Sequence, residues 1–216
     1  MADSGSVSRG LAPGRQQQRR GMVRAELILD ATMGLIADSG VEGVNMRRVA
    51  KAAKAAVGSL YHFFPSRACL LQAVANRHAR AIRELTARLS AMAARDWQQM
   101  SAQQTADCLI RGYADYGRRH PDCFLAKLYL PVPELEADFF ALLMQILDAR
   151  LPDVGKERRQ NLAQAIHAIL MGGINAASPH GQLRVACFLD ELPFVLGAYL
   201  EGMEERFILQ KGSMCG

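Results

Sequence analysis

The sequence lacks the short motifs on which most enzymes depend. It has no Gly-x-Ser-x-Gly, no His-Glu-x-x-His, no P-loop and no Rossmann fingerprint, and its five histidines are scattered along the chain. These motifs place a nucleophile, a pair of metal ligands or a phosphate cradle in a defined geometry, so their absence argues against those chemistries. We therefore expect a protein that is not an enzyme and that needs no cofactor.

Cysteine is also used without a recognisable pattern. The five cysteines form no Cys-x-x-Cys pair, and no His/Cys cluster has the spacing of a zinc site. An odd number of cysteines in a chain of this size argues against a disulfide framework. We expect no metal site, and we expect most of the cysteines to serve as small apolar core residues.

Long apolar runs and strand signals are missing as well. No stretch of about 18 apolar residues exists, and the N-terminus lacks the apolar segment of a secretory signal. We therefore expect no membrane span and a cytoplasmic location. The chain has 1 Trp, 5 Tyr and 8 Phe and no runs of β-branched residues. Ala, Leu, Arg, Glu and Gln dominate instead, which predicts an all-α fold.

Positive charge is concentrated at one end of the chain. Residues 1–70 contain 10 Lys and Arg against 5 Asp and Glu, whereas residues 71–216 contain 16 of each sign. A basic N-terminal part on a neutral body indicates a polyanionic partner at that end. The alternative is a solvated basic tail, because blocks of charge often serve no other purpose.

The apolar spacing predicts a small helical domain over residues 21–66. Residues 1–20 are rich in Gly, Ser, Gln and Arg, and we expect them to form a disordered basic arm. A turn is predicted at residues 54–56, between the second and third helices. The three predicted helices are Val23–Ser39 with Gly40 at its cap, a second that begins after the N-cap Asn45, and a third over Val57–Phe63.

A larger helical body is predicted over residues 67–210. A helix of about 25 residues begins after Ser66, which at 1.5 Å per residue spans roughly 37 Å. Pro and Gly breaks separate the segments that follow, and Pro193 is expected to kink the last of them. The further helices predicted for the body are Gln98–Arg119, Phe124–Leu130, Glu134–Leu151, Lys156–Ala177 and Leu183–Gly202.

The second and third helices have the layout of a helix-turn-helix, which can place a helix end in the major groove of DNA. Gly58 and Ser59 keep the start of the third helix small enough to approach the groove. Donors near the starts of both helices suit phosphate groups, which set the register of a protein on a duplex. The candidate phosphate contacts are Asn45, Arg47, Arg48, Tyr61, His62 and Arg67, while Leu60, Phe63 and Phe64 are expected to fill the core.

The stretch from Ile28 to Val74 resembles the N-terminal domain of the TetR family of transcriptional regulators. The matching residues are Ile28-Leu29-Asp30-Ala31, Leu35-Ile36, Gly40, Val44, Met46-Arg47, Val49-Ala50, Ala53, Gly58-Ser59-Leu60-Tyr61, Phe64-Pro65-Ser66-Arg67 and Leu70-Leu71. The resemblance implies double-stranded DNA binding by residues 21–66, a homodimer on a palindromic operator, and release of DNA by a small molecule bound in the body. Repression is the commoner mode of action in that family.

The turn departs from the family's pattern. The family usually has Gly-Val-Ser or Gly-Val-Thr where this chain has Lys54-Ala55-Ala56. A left-handed lysine costs about 1 kcal/mol relative to glycine, and the loss of a capping hydroxyl costs about as much again. We expect Lys54 and the arginines of the arm to compensate by contacting DNA. Base contacts are assigned to Val57, Ser59 and His62. The alternative function is a TetR-fold protein with weakened or lost specific DNA binding that acts through ligand or protein binding by its body.

Two functions are predicted for the body. The resemblance implies that its last two long helices form a four-helix bundle across the dimer, with intrachain packing of the same small residues as the alternative. That small-residue patch is Gly172, Gly173, Ala176 and Ala177. A pocket for a small hydrophobic effector is expected nearby, since Met and aromatic side chains suit adaptable apolar pockets. Its candidate lining residues, each alternatively ordinary core, are Trp97, Tyr113, Tyr116, Phe124, Phe139, Phe140, Met144, His167 and Met171.

Overall fold

A computed structural model of the chain describes residues 13–123, 133–177 and 182–214. Helices and their short connections account for these residues, and none of them lies in a strand. The all-α prediction is therefore confirmed. The chain divides into two compact units, Met1–Leu71 and Gln72–Gly216. No helix in the described ranges has the length and apolarity that crossing a membrane requires.

The first unit is built from three helices and the start of a fourth. Helix α1 packs on a short 3₁₀ helix and on α2, and α2 packs on α3. Four core side chains contributed by these helices, Ile28, Ile36, Val49 and Leu60, are fully buried. The elements are α1 (Pro13–Ser39), the 3₁₀ helix (Val41–Gly43), α2 (Met46–Ala52), α3 (Val57–Phe63) and α4 (Arg67–Ser90), which continues beyond the unit.

Helix α1 begins at Pro13, well before the predicted start at Val23. The expectation of a disordered arm is therefore wrong for residues 13–20. Proline is favoured in the first turn of a helix, and the Gln and Arg residues that follow are good helix formers. Once the buried face around Ile28 has formed, extending the helix adds one hydrogen bond per residue fixed. Residues 1–12 of the predicted arm lie outside the described residues.

The second unit packs around one apolar core. Helix α6 packs extensively on α9, α7 on α8, and α5 on α7. The centre of the core holds five side chains that are each at most 2% exposed: Trp97, Leu109, Leu142, Ile166 and Leu200. Besides the rest of α4, the helices are α5 (Ala94–Gln99), α6 (Ala102–Arg119), α7 (Pro133–Arg150), α8 (Lys156–Ala177) and α9 (Gln182–Met214).

Two helix boundaries in this unit differ from the prediction. The segment predicted as one helix over Gln98–Arg119 is divided, because Ser101 starts a new helix. Its hydroxyl accepts a bond from the Gln104 amide at 3.1 Å, and the Gln104 side chain accepts one from the Ser101 amide at 2.8 Å. This reciprocal capping box satisfies donors at the start of α6. Helix α9 runs through Pro193 to Met214, beyond the predicted end at Gly202. The predicted helix Phe124–Leu130 lies outside the described residues.

Helices α6 and α9 approach closely at Gly197. A Cβ atom on this glycine would overlap the Gln103 side-chain amide and lie 3.2 Å from the Gln103 Cα atom. We therefore expect Gly197→Ala to lower the free energy of unfolding by about 1–3 kcal/mol through overpacking. Gly202→Ala is the matched control, since a Cβ there meets nothing within 4 Å.

The control substitution in the same helix should stabilise the protein by about 0.5–1 kcal/mol, because alanine is the better helix former. Urea unfolding followed by circular dichroism measures both changes. Equal effects of the two substitutions would show that α6 and α9 do not need a glycine at their contact.

Candidate functional site

Helices α2 and α3 form the helix-turn-helix that the sequence predicted. Asn45 caps α2, with its side-chain oxygen accepting a bond from the Arg48 amide at 2.9 Å. Lys54 takes the left-handed conformation at the turn, with φ at 49°. Ala56 precedes α3 in extended conformation and supplies no side-chain cap. The backbone thus keeps the turn although the residues at its two special positions are unfavourable.

Restoring the missing cap should strengthen the first unit. We expect Ala56→Ser to raise the free energy of unfolding by about 1 kcal/mol, because its hydroxyl can accept a bond from an otherwise unpaired amide of α3. Ala52→Ser, at the exposed end of α2, is the control and should lower stability slightly. Denaturant midpoints measure both. No gain from Ala56→Ser would mean that the start of α3 already has another partner.

One face of α3 is open to solvent. Val57 and Tyr61 are 40% and 48% exposed, and Gly58 and His62 are exposed as well. A Cβ on Gly58 would meet no atom within 4 Å. The opposite face holds the fully buried Leu60, followed by the buried Phe64. Ser59 and Phe63 lie at intermediate exposure. The residues expected to reach DNA are therefore accessible, and two of the three expected to fill the core are buried.

The basic residues around α2 have different surroundings. Arg47 and Lys54 are exposed. The Arg48 guanidinium donates to the Gly43 carbonyl at 2.5 Å on the exposed surface. Arg67 donates to the carbonyls of Val44 and Val41 at 2.8 and 2.7 Å. The Arg67 guanidinium therefore helps to hold the chain before α2, while its side chain remains 40% exposed.

A further basic residue lies beside the turn and was missed from the sequence. The Arg24 guanidinium on α1 donates to the Lys54 carbonyl at 3.4 Å, across 30 residues of sequence. The helical spacing predicts that Arg24 lies outside the buried stripe of α1. No local pattern, however, indicates that this part of α1 lies beside the turn between α2 and α3. The turn therefore has a basic neighbour from α1 in addition to Lys54 itself.

Part of the predicted effector pocket is brought together in the second unit. The rings of Tyr113 and Phe139 meet edge to face at 5.6 Å, and those of Phe139 and His167 lie 6.2 Å apart. Tyr113 also shares a 2.9 Å hydrogen bond with Thr86, and burial raises the pKa of its hydroxyl. The Nε2 atom of His167 is buried and has no partner among the described residues. Phe140, Met144 and Met171 are partly buried against the same core.

Three other residues were predicted to line the pocket: two of them take part in other contacts, and the third lies outside the described residues. Trp97 on α5 is fully buried, and its carbonyl accepts a bond from Arg150 of α7 at 2.7 Å. The Tyr116 hydroxyl bonds the ring of His78 at 2.7 Å. Phe124 lies outside the described residues. Trp97 nevertheless belongs to the same apolar core as Phe139, whereas the Tyr116 hydroxyl is bonded to His78.

Tyr116 belongs to a buried polar cluster that the sequence did not reveal. His78 is 4% exposed and Asp122 is 2% exposed, and the His78 Nε2 atom lies 2.7 Å from an Asp122 oxygen. Burial, followed by the nearby Cys123 and Asp122, raises the pKa of the Tyr116 hydroxyl and keeps it protonated. Burial lowers the pKa of His120, whose ring lies 4.6 Å from that of Tyr116. In the sequence, the one sign of this cluster was that a histidine, His78, occupies a position in the apolar stripe of α4.

The predicted dimer patch lies on α8. Gly172 is exposed, and a Cβ there would meet nothing within 4 Å. The same helix contains Gly173, Ala176 and Ala177, whose burial is not among the features that the structure describes. Among the side chains of α8 and α9 whose burial the structure describes, the large apolar ones that are exposed are Ile169 at 39%, Phe194 at 67% and Val195 at 42%. Both helices therefore present apolar groups to solvent.

Residues 28–74 match the family model described as bacterial regulatory proteins, tetR family. An HTH-type transcriptional repressor KstR from Mycobacterium tuberculosis is 39% identical over 88 residues, which are 41% of this chain and 39% of the relative. The KstR repressor of Rhodococcus jostii is 46% identical over 61 residues, which are 28% of this chain and 26% of the relative. The chain thus spans about two fifths or less of the length of these curated relatives.

The fold extends the likeness to both units. A TetR-family transcriptional regulator from Streptomyces coelicolor superposes with a TM-score of 0.57 and 21% identity, covering 84% of this chain and 98% of that one. At this identity the likeness concerns the fold: an N-terminal helix-turn-helix followed by a helical domain.

Proposed function

We propose that this chain, whose residues 28–74 match the tetR family model, is a transcriptional repressor of that family. It binds a palindromic operator in double-stranded DNA as a homodimer and is released by a small hydrophobic effector. It acts in the cytoplasm. The supporting observation is the exposed face of α3, where Val57, Gly58, Tyr61 and His62 lie beside a basic turn. An accessible helix end with small residues at its start suits the major groove.

The proposed contacts divide by chemistry. Arg47, Lys54 and Tyr61 donate to phosphate oxygens and set the register, and the exposed Asn45 and Arg48 lie at the start of α2, where the helix dipole also attracts an anion. Ser59 and His62 are proposed to read base edges, with Val57 in apolar contact. Arg67 also remains a proposed phosphate contact, because its side chain is 40% exposed although its guanidinium bonds two backbone carbonyls.

Selection from random duplexes, followed by titration of the selected site at several salt concentrations, tests this function. Specific binding should survive competitor DNA and weaken as salt rises, because phosphate contacts release counterions. Arg47→Ala and Tyr61→Phe should lower affinity for all duplexes alike, whereas Ser59→Ala and His62→Ala should change the preferred sequence. Arg95→Ala, an exposed arginine of the second unit, is the control. Recovery of no enriched sequence would reject operator binding.

Dimerisation is proposed to use the exposed apolar side chains of α8 and α9. Ile169, Phe194 and Val195, together with the open position at Gly172, form a surface that burial against a second copy would remove from water. Light scattering at micromolar concentration should give the mass of a dimer. Phe194→Glu should give a monomer, whereas Ala141→Glu on an exposed position of α7 should not. A monomeric parent protein would contradict the proposal.

The effector is proposed to bind beside Tyr113, Phe139 and His167. The unpartnered Nε2 atom of His167 supports this, because a buried polar atom without a protein partner can bond a ligand. Phe140, Met144 and Met171 supply adaptable apolar contact. A thermal-shift screen of lipophilic compounds should find ligands that raise the melting temperature, and His167→Leu should reduce that shift. A library without a single response would count against an effector site.

The unusual turn favours one alternative function. Lys54 in the left-handed conformation and the uncapped Ala56 both weaken the connection that orients α3. A TetR-fold protein that has lost specific DNA binding would act through ligand or protein binding by its body. Such a protein would still respond in the thermal-shift screen but would enrich no sequence from random DNA.

A further inference from the structure

The N-terminal half of α1 exposes arginines and apolar side chains side by side. Val23 and Leu27 are 55% and 48% exposed, and no acidic residue occurs from Pro13 to Ala25. These side chains border a shallow depression that is open to solvent. The residues that line it, which together are named the α1 basic face, are Arg19, Arg20, Val23, Arg24 and Leu27.

The α1 basic face adjoins the helix-turn-helix. The Arg24 guanidinium reaches the carbonyl of Lys54, the residue at the centre of the turn before α3. Arg20 precedes Arg24 by one helical turn, so their side chains share a side of α1. Arg19 and Arg20 are exposed and lie farther from the turn along the helix. Positive charge therefore continues along α1 from Arg24 to Arg19 over about 7.5 Å, given 1.5 Å per residue.

We propose that the α1 basic face is a second DNA-contact surface, on which Arg19, Arg20 and Arg24 bind the sugar-phosphate backbone that flanks the site engaged by α3. This inference rests on the proposed operator binding. Charge complementarity favours the duplex, because arginine binds phosphate oxygens through a planar fork of donors. Continuity with Lys54 favours the same duplex as the one that α3 contacts.

The helical state of residues 13–20 decides the kind of contact. The minor groove of B-DNA is about 6 Å wide, whereas an α-helix with its side chains is about 10–12 Å across. A helical segment therefore cannot enter the minor groove as an extended basic arm can. It lies across the backbone, so its arginines contribute affinity that does not depend on base sequence.

The apolar members of the face strengthen the same contact. Arginine stems lie along apolar surface while their guanidinium groups reach outward, and Val23 and Leu27 provide that surface. When a phosphate backbone covers them, water is displaced and the local dielectric constant falls. The attraction between guanidinium and phosphate then increases.

The experiment measures how affinity for the selected duplex depends on salt. The double variant Arg19→Ala/Arg20→Ala is compared with the control Arg80→Ala/Arg95→Ala, which removes the same charge from exposed positions of the second unit. Arg24 is left unchanged because it bonds the turn. Each lost phosphate contact reduces the steepness of log K against log salt by about 0.9, and the homodimer loses up to two contacts in each protomer, so the double variant should lose between about 2 and 4. The control should keep the parent slope, and duplexes trimmed at the flanks should weaken the parent more than the double variant.

Each outcome has a distinct meaning. If the parent protein binds no selected duplex, the proposed function of operator binding is rejected. If the parent binds and the salt slope of the double variant equals that of the control, operator binding stands and only the proposed role of the α1 basic face is overturned. An altered base preference in the double variant also overturns it, since backbone contact carries no such preference. A change in mass by light scattering overturns it in favour of a contact with a second copy of the chain.

Discussion

Val57→Glu is expected to abolish specific operator binding while leaving the fold intact. Val57 is the first residue of α3 and is 40% exposed, so a glutamate there faces the proposed DNA surface. Like charges brought together at an interface cost several kcal/mol, and about 3 kcal/mol corresponds to a loss of roughly 100-fold in affinity. A carboxylate in the first turn of a helix interacts favourably with the helix dipole, so stability should not fall. Fluorescence anisotropy on the selected duplex and urea unfolding measure the two quantities.

Two variants control for helix position and side-chain size. Ala94 is exposed and is the first residue of α5, so Ala94→Glu places the same charge at the same helix position in the other unit and should leave affinity unchanged. Val57→Gln adds the length without the charge and should cost far less than the glutamate. If Val57→Glu binds the duplex as tightly as the parent does, α3 is not the recognition helix.

Arg150→Ala is expected to be the most destabilising single substitution considered, lowering the free energy of unfolding by about 3–5 kcal/mol. The Arg150 side chain is 7% exposed, and its guanidinium pairs with both carboxylate oxygens of Glu204 at 2.6 and 2.9 Å. It also donates to the carbonyls of Trp97 and Met100 at 2.7 and 2.6 Å and to the Thr105 hydroxyl at 3.0 Å. Truncation removes the partner of Glu204 and of the two carbonyls, which belong to the end of α5, where no intrahelical donor remains. The Thr105 hydroxyl keeps its bond to the Ser101 carbonyl at 3.0 Å.

The exposed pair of Arg83 with Asp138 is the matched control. Its atoms are 3.8 Å apart, and the two side chains are 52% and 47% exposed. Exposed pairs contribute about 0–1 kcal/mol, so Arg83→Ala should have little effect. Arg150→Lys should be less destabilising than Arg150→Ala because it keeps the charge. It should still be less stable than the parent, because an ammonium group cannot form the paired fork. Urea unfolding that placed Arg150→Ala within 1 kcal/mol of the parent would show that the network adds little.

Local sequence was sufficient for the helix-turn-helix. Asn45 as a cap, Lys54 in a left-handed conformation and Leu60 as core all depend on residues within one or two helical turns. The same local rules failed for residues 13–20, where a composition typical of disorder continues a helix that is anchored farther along. Composition describes an isolated segment, whereas helix extension depends on the neighbour to which the segment is attached.

Contacts between distant residues were not predictable. Arg67 carries the same charge as Arg47, yet its guanidinium bonds carbonyls more than 20 residues away. His78 appeared as one more position of an apolar stripe, and its partner Asp122 is 44 residues along the chain. Arg150 and Glu204 are separated by 54 residues. A pattern that repeats every three or four residues carries no information about such pairings.

From the sequence alone follow the all-α class, the helix-turn-helix and the position of its turn, because each depends on local periodicity, capping and backbone preference. The tertiary structure alone decides which acceptors each arginine meets, since Arg24 bonds the Lys54 carbonyl, Arg67 bonds that of Val41 and Arg150 bonds that of Met100. The physical reason is that a charged side chain binds whichever acceptors the packed helices bring within about 3 Å, and packing joins residues that are far apart along the chain.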